Sequence, residues 1–283
     1  MAYAHIKNLY QFKEMLMFKQ VYALEKIHGC SANLQLFGPP INDVVYFSGD
    51  NTETFSKLFD GQELAQRANA INLPSPCTIY GENYGGSILK QSHRYGDKKR
   101  FVAFDVKIND RWLNVDKARK VCEDLGIEFV SYWLINCDID NLDAIRDMPS
   151  VQATRNGMGT QSREGVVIRP LEEVVRQDGQ RYIAKHKAAE FSETATPRTV
   201  KGYSPEFLNA KQLAREWVTP NRIEHILQHS NYTTIEQTKA FICAMVEDVM
   251  REGDFEVRNT KENRGAIGQL AAALYKEYLE DQI

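Results

Sequence analysis

The sequence predicts an α+β fold: antiparallel sheets with flanking helices, followed by a small all-helical C-terminal domain. Three observations predict it. Between about residues 20 and 190, short apolar or alternating runs recur, each broken by Gly, Pro, Asn or Asp. These strand-like runs outnumber the helical stretches between them and lie close together in sequence, which favours antiparallel pairing. After Phe191 the pattern changes: Ser192 to Ser204 is polar, carries Pro197 and Gly202, and leads into segments with helical periodicity. The expected division is 1–202 and 203–283.

Residues 6–18 place Ile6, Leu9, Tyr10, Phe12 and Leu16 near helical spacing, which predicts a short helix. Val21–Gly29 alternates and predicts a strand that delivers Lys26 into a turn. Further strands are predicted at 43–48, 77–82, 101–108, 127–135, 165–169 and 181–187, with helices at about 53–70 and 115–125. Farther on, Thr219-Pro220 supplies an N-cap and a first-turn proline. Thr233-x-x-Glu236 has the capping-box pattern ahead of Phe241, Met245 and Val249, with Gly253 as a stop. Asn259 with Glu262 offers a similar start for a last helix carrying Ile267, Leu270, Leu274 and Leu279.

At 283 residues the chain can bury a proper core, and 43% hydrophobic with 26% charged residues is the balance of a soluble globular protein. Lys7, Lys13, Glu14, Lys19, Glu25 and Lys26 leave no apolar run in the first thirty residues long enough for a signal peptide or a membrane span. The 5 cysteines are scattered and never spaced as Cys-x-x-Cys, which argues against a disulfide frame or a zinc site. A cytoplasmic setting, bacterial or that of a phage host, is expected, with no membrane partner and a monomeric chain. Net charge is -3, so nothing draws the whole molecule to nucleic acid. Residues 203–283 hold 9 Lys/Arg against 13 Asp/Glu, leaving 26 against 25 in 1–202. Contact with a polynucleotide must therefore use a local patch. Lys90–Arg100, with five Lys/Arg and one Asp, is the best candidate, although a solvated loop explains it equally well.

Five segments carry chemistry. Lys26-Ile27-His28-Gly29 puts an amine on a rigid element, a plausible nucleophile; alone it fits a surface lysine before a turn as well. Ile79–Gly86 ends a strand at Glu82 and continues into glycines that let backbone approach a ligand; a polar hairpin turn is the plain alternative. Phe101–Val106 is an apolar strand interrupted by Asp105, with Phe104 beside it, and simple core would suffice for that pair. Arg163–Arg169 places Glu164 at a strand mouth, where a carboxylate can bind a metal. Tyr182–Lys187 alternates, so Lys185 and Lys187 share a face about 7 Å apart. Two ammonium groups so placed repel unless an anion lies between them.

In order these are Lys-x-His-Gly, Gly-Glu-x-x-Gly, Phe-Asp, Glu-Gly-Val-Val-Ile-Arg and Lys-x-Lys. The set resembles the covalent nucleotidyltransferase superfamily of ATP-dependent ligases and capping enzymes, and most of all the phage RNA ligase 2 type. The motifs run from Lys26 to Lys187. The resemblance implies a nucleotidyltransferase domain in which Lys26 becomes adenylylated, with Glu25 and Ile27 at the adenine edge and His28 in the same motif. It places Glu82 on the ribose and Phe104 against the adenine, with Asp105 adjoining. It gives Glu164 to the metal, Arg169 to a basic position closing its strand, and Lys185 and Lys187 to the α-phosphate. ATP and Mg²⁺ (or Mn²⁺) are the implied cofactors, and a nicked duplex with 3′-hydroxyl and 5′-phosphate ends, RNA favoured, is the implied partner. One departure stands out. The family carries an arginine some twenty residues after the nucleophile, where this chain has Phe47-Ser48-Gly49-Asp50-Asn51.

The chemistry suits these residue types. Attack on the α-phosphate needs a neutral amine, whereas a free lysine is ~99.9% protonated at pH 7. Nearby cations disfavour an ammonium and neutralise the phosphoryl oxygens in the transition state. A capping enzyme would need an OB-type barrel downstream, and the helical C-terminal region argues against one. Sealing of DNA nicks by the same core, or a nucleotide-binding module without catalysis, remain open alternatives.

Overall fold

A computed structural model describes residues 3–88, 92–196, 198–200, 208–228, 230 and 232–280. The chain divides into two compact units, Met1–Ala188 and Ala189–Ile283. In chain order the first unit contains β1 (Gln20–Lys26), β2 (Cys30–Phe37), β3 (Asp43–Ser48), α1 (Thr52–Ser56), α2 (Gly61–Ala70) and β4 (Cys77–Tyr84). It continues with β5 (Arg100–Ile108), β6 (Arg111–Trp112), α3 (Val115–Leu125), β7 (Tyr132–Asn136), α4 (Ile139–Arg146), α5 (Val151–Arg155), β8 (Gly165–Pro170) and β9 (Ala184–Lys187). The strands form two antiparallel sheets, ordered β7-β1-β8-β9 and β3-β2-β4-β5-β6. The α+β expectation holds.

Alternation drives the five-stranded sheet. Ala32, Leu34 and Leu36 of β2, Ile79 of β4 and Val106 of β5 are fully buried on one face and join Leu64 and Ala68 of α2 and Cys122 of α3 in one apolar cluster. Burial of such side chains contributes about 1.5–3 kcal/mol each before entropy is charged against it. The other face of this sheet and the inner face of the four-stranded sheet are joined by charge. Asp105 on β5 is buried and pairs with Arg169 on β8 at 3.0 Å and with Arg181 at 2.6 Å. Both guanidiniums also meet Glu173.

Several elements differ from expectation. The predicted helix over 6–18 is a 3-10 turn at Lys13–Met17 only. Its first part is drawn instead onto the edge of β9, where the Lys185 N–H donates to Lys7 O (2.9 Å) and the Leu9 N–H to Lys185 O (2.8 Å). Helix 53–70 is two helices, because Asp60 turns to cap α2 through the Gln62 and Glu63 N–H groups. Strand 127–135 pairs regularly only from Tyr132, and strand 181–187 only from Ala184. β2, α4 and α5 had no counterpart among the expected elements.

The second unit contains α6 (Ala210–Trp217), α7 (Pro220–Gln228), α8 (Thr238–Gly253) and α9 (Lys261–Glu280). Trp217, Phe241, Met245, Val249, Ile267 and Tyr275 form its core, with the Phe241 and Tyr275 rings stacked at 4.3 Å. The capping box sits one residue later than expected, on Thr234 and Gln237, because the Gln237 carboxamide accepts from the Thr233 and Thr234 N–H groups. The polar stretch after Phe191 belongs to this unit. Arg198 pairs with Glu216 at 2.6 Å and Glu256 at 3.0 Å, and the Thr196 N–H donates to Glu216 at 2.8 Å. The unit boundary therefore falls at Ala188, ahead of that stretch, and not at 202. Among the described residues, no helix is long and apolar enough to cross a membrane.

The Asp105–Arg169 clamp predicts a large, local effect. Replacing Arg169 by Met leaves a buried carboxylate short of a partner and should lower the stability of the first unit by about 3–5 kcal/mol. Urea unfolding combined with amide exchange on β5 and β8 measures this. A loss below about 1 kcal/mol would mean that Arg181 alone holds the two sheets.

Candidate active site

Three strand ends meet at one point. Lys26 closes β1 opposite Gly165 at the start of β8, and Gly165 lies opposite Lys187 at the end of β9. Directly opposed residues in an antiparallel ladder share a face, so the two lysines project to the same side across the glycine. Only glycine serves there. Its φ is +151°, and a Cβ would lie 2.2 Å from the His186 carbonyl oxygen.

Glu164, one residue before β8, places its carboxylate between these ammonium groups. Its Oε2 is 2.9 Å from Lys26 Nζ and its Oε1 is 3.1 Å from Lys187 Nζ. His28 Nδ1 stands 3.6 Å from Oε2. The carboxylate is 4% exposed. Burial alone would oppose its ionisation, but Lys26, Lys187 and His28 outweigh that and hold it well below the usual carboxylate range. Lys185, one pleat back on the face of Lys187, is buried opposite Val167.

Glu82 behaves oppositely. Burial pushes its carboxyl up to about 8, against the pull of Lys26; Glu164 adds repulsion, while the Gly29 N–H and Lys187 favour the charge. The two carboxylates of the cleft are thus split in charge at neutral pH, one ionised and one protonated. Gly29 is a close approach rather than a hinge: a Cβ there would sit 2.4 Å from Asn83 O and 2.8 Å from Glu82 Cγ.

Other predicted residues are placed differently. Glu25 points away from Lys26, as strand alternation requires. Its carboxylate accepts from Ser150 Oγ at 2.6 Å and from the Val151 and Gln152 N–H groups at the start of α5. Ile27 is buried in the apolar core. Arg169 is 1% exposed with its donors engaged by Asp105, Glu173 and the carbonyls of Phe104 and Leu113, so it braces the cleft wall and has none left for a nucleotide. Asp105 is likewise committed to Arg169, Arg181 and Tyr3.

The Phe104 ring remains partly exposed, in an aromatic cluster that sequence reasoning missed. Tyr3 meets it edge-on at 5.0 Å and also touches Tyr80 and Trp112. The Tyr3 hydroxyl donates to Asp105 at 2.6 Å and accepts from Arg181 at 2.8 Å, while Arg181 lies 4.1 Å over the Trp112 ring. No local pattern marks Tyr3, Trp112, Glu173 or Arg181, because their partners are remote in sequence.

Where a cation was expected, Ser48 is buried and accepts from Asn83 Nδ2 at 3.0 Å, and Asp50 pairs with Lys99 at 2.7 Å. Within the basic segment, Lys90 and Gln91 lie outside the described residues, and Tyr95 is buried. All five cysteines are free thiols.

An ionised, buried carboxylate is a hard oxygen ligand of the kind Mg²⁺ or Mn²⁺ takes, so Glu164 fits a divalent ion. In the second unit, Glu193, His225 and Asp248 are close enough to share a cation. There Arg222 already pairs with Asp248 and lies 3.6 Å from Glu193, supplying the positive charge.

The fold is similar to that of the Naegleria gruberi RNA ligase. The apo form of one mutant gives a TM-score of 0.51 at 14% identity, over 68% of this chain and 56% of that chain. A mutant with AMP and Mn gives 0.51 at 14% identity, over 68% and 57%, and another with ATP and Mn gives 0.51 at 14%, over 68% and 56%. This chain thus spans little more than half the length of that protein. No curated protein matches it. The family model described as RNA ligase matches residues 19–187, more than half of the chain and the whole span from Lys26 to Lys187. The chain belongs to the RNA ligase family.

Proposed function

We propose that this protein is an ATP-dependent polynucleotide ligase that joins 3′-hydroxyl and 5′-phosphate ends at nicks in a duplex, with RNA as the favoured substrate. The observation that carries this reading is the convergence of Lys26, Glu164 and Lys187 across Gly165, an amine, a carboxylate and a second cation on three adjacent strand ends.

In the first step the Lys26 Nζ lone pair attacks the α-phosphorus of ATP, a P–N bond forms, and the bond to pyrophosphate breaks. An oxygen of the substrate's 5′-phosphate then attacks the same phosphorus, a P–O–P anhydride bond forms, the P–N bond breaks, and the Lys26 amine leaves. Finally the 3′-hydroxyl attacks that phosphate and AMP leaves. The Naegleria enzyme is solved with ATP and Mn, and ATP with a divalent ion is the corresponding requirement here. Such an ion, when bound, neutralises phosphate charge, and Glu164 is the ligand this chain offers. Lys187 and Lys185 meet the α-phosphate oxygens, and the open face of Phe104 supplies a stacking surface for the base. Glu82, protonated near neutrality, can donate a hydrogen bond to a ribose oxygen.

Incubation with α-labelled ATP and Mg²⁺ tests the first step. Native protein should take a covalent label, and Lys26→Ala should lose it entirely, while Lys187→Ala should reduce it by at least about tenfold. No label on native protein sinks the proposal. Side-by-side nicks should then seal faster with RNA than with DNA on the 3′-hydroxyl side; the reverse order would make it a DNA ligase.

Glu82 gives a prediction in pH. Its folded value is raised to about 8, above that of an unfolded glutamate, so the folded state holds the extra proton between them. That contribution is fully present below the unfolded value and is lost as pH rises through about 8. Glu82→Gln removes this dependence, so its melting temperature should rise relative to the native protein between about pH 5 and pH 9. A constant difference across that range would show that Glu82 is ionised throughout.

A further inference from the structure

We propose that Tyr95 is a positioning residue for the nucleophile: its buried hydroxyl holds the turn that follows Lys26 and so fixes the line along which the amine attacks. This rests on the ligase reading above. Lys26 is the last residue of β1, so the ladder with β8 secures it on one side only. A lysine stem is a flexible four-carbon chain, and precision at its amine begins with a fixed backbone. Beyond Lys26 the chain leaves the sheet through Ile27–Gly29, and there Tyr95 takes over. The His28 N–H donates to the Tyr95 hydroxyl at 3.3 Å. Tyr95 is 1% exposed. Among the described side chains of 93–100 it alone is buried, so the basic segment sends one aromatic ring beneath the turn.

The support runs in a closed circuit around the turn. Tyr95 meets the Tyr84 ring edge-on at 5.3 Å, and the Tyr84 hydroxyl accepts from Gln152 Nε2 at 2.9 Å. The Gln152 N–H donates to the carboxylate of Glu25 at 3.3 Å, on the other side of Lys26. Glu25 and His28 are thus tied through Gln152, Tyr84 and Tyr95, with Lys26 between them. Gly29 seats the turn directly on this support, since a Cβ there would stand 2.9 Å from Tyr84 Cβ. Tyr95 is itself held from behind. Asn156 Nδ2 donates to its carbonyl at 3.0 Å, and the Gly86 N–H donates to the carbonyl of Gly96 at 2.8 Å. Burial raises the hydroxyl far above its ordinary value; the His28 N–H opposes this, and Glu164, Glu25 and Glu82 add to it. It therefore stays uncharged and accepts from His28 throughout the working range of pH. Tyr95 acts on the amine through the backbone of Lys26–His28, and no step of the reaction passes through its hydroxyl.

The test uses the full chain, α-labelled ATP, and a nicked RNA duplex that already carries AMP on its 5′-phosphate. Sealing that duplex needs the third step alone, in which Lys26 forms no bond. Tyr95→Phe keeps the ring and removes the hydroxyl. In single-turnover labelling its maximal rate should fall at least about tenfold, with the ATP concentration for half-maximal rate within about twofold of native. Sealing of the adenylylated duplex should stay within about twofold of native. Asn156→Ala removes the donor to the Tyr95 carbonyl and keeps both aromatic rings, so it should show the same split with a smaller loss. Labelling at the native rate in Tyr95→Phe overturns the inference. So does a parallel loss of labelling and sealing, which would make Tyr95 a support of the fold at large. If Tyr95→Phe fails to fold, native labelling in Asn156→Ala overturns it. Native protein that takes no label from ATP defeats the ligase reading itself, a result distinct from the others.

Discussion

The cleft depends on a pleat rule kept at two strand ends, Lys26 and Lys187, and interrupted at the third. There Gly165, at φ +151°, stands between them, and Glu164 precedes the regular strand. Lys26, Glu164 and Lys187 each follow a residue whose side chain turns the other way and is locked there. Glu25 accepts from Ser150 and the first N–H groups of α5. Arg163 donates to the carbonyls of Pro149 and Ile145 at 2.7–3.2 Å. His186 Nε2 meets Asp143 at 2.7 Å and Arg146 at 2.9 Å. All of these partners lie between Asp143 and Gln152, a single stretch behind the sheet. Within β1 and β9, fixing one side fixes the other, because successive side chains alternate. At Glu164, outside β8, the anchored Arg163 on one side and Gly165 on the other set its course. The convergence at Glu164 is thereby ordered before any ligand arrives, which is where much of an enzyme's positional advantage originates.

That order has an electrostatic consequence. Burying a carboxylate is costly unless opposite charge is supplied at short range, and Glu164 receives it from two ammonium groups. Glu82 does not: burial dominates, and it keeps its proton near neutrality. With both carboxylates ionised, the charges of Lys26 and Lys187 would be balanced within the cleft. With one protonated, the cluster keeps a net positive charge. The difference between the two carboxyls follows from Glu82 having no cation as near as Glu164 has.

Much of this was legible in the sequence, for a definable reason. Strand alternation and breaker residues marked β1, β3, β4, β5 and β8, and the order of short motifs pointed to Lys26, Glu164 and the Lys185–Lys187 pair. β2 alternates as cleanly, but its inward residues begin with Cys30 and Ala32, too small to stand out as a strand. The 6–18 segment shows the reverse error. Its apolar spacing fits a helix, yet pairing with β9 offers Lys7–Leu9 two backbone hydrogen bonds that an isolated turn would have to find alone. α4 and α5 carry the Asp143–Gln152 stretch, and nothing local announces it, since its partners are all distant.

The same limit explains Asp105 and Arg169. Their motif positions lie on facing sheets, β5 and β8, but position does not decide role. A guanidinium has five donors, and Arg169 spends them on two carboxylates and two carbonyls. Its role is to hold β8 against β5. Tyr3 and Arg181 close the same network from residues that no motif contains. The cleft is therefore built by two groups of residues of different legibility. Those that converge at Glu164 lie in short motifs, where a reaction would fix their types. Those that hold the walls are free to come from anywhere the chain returns to the site.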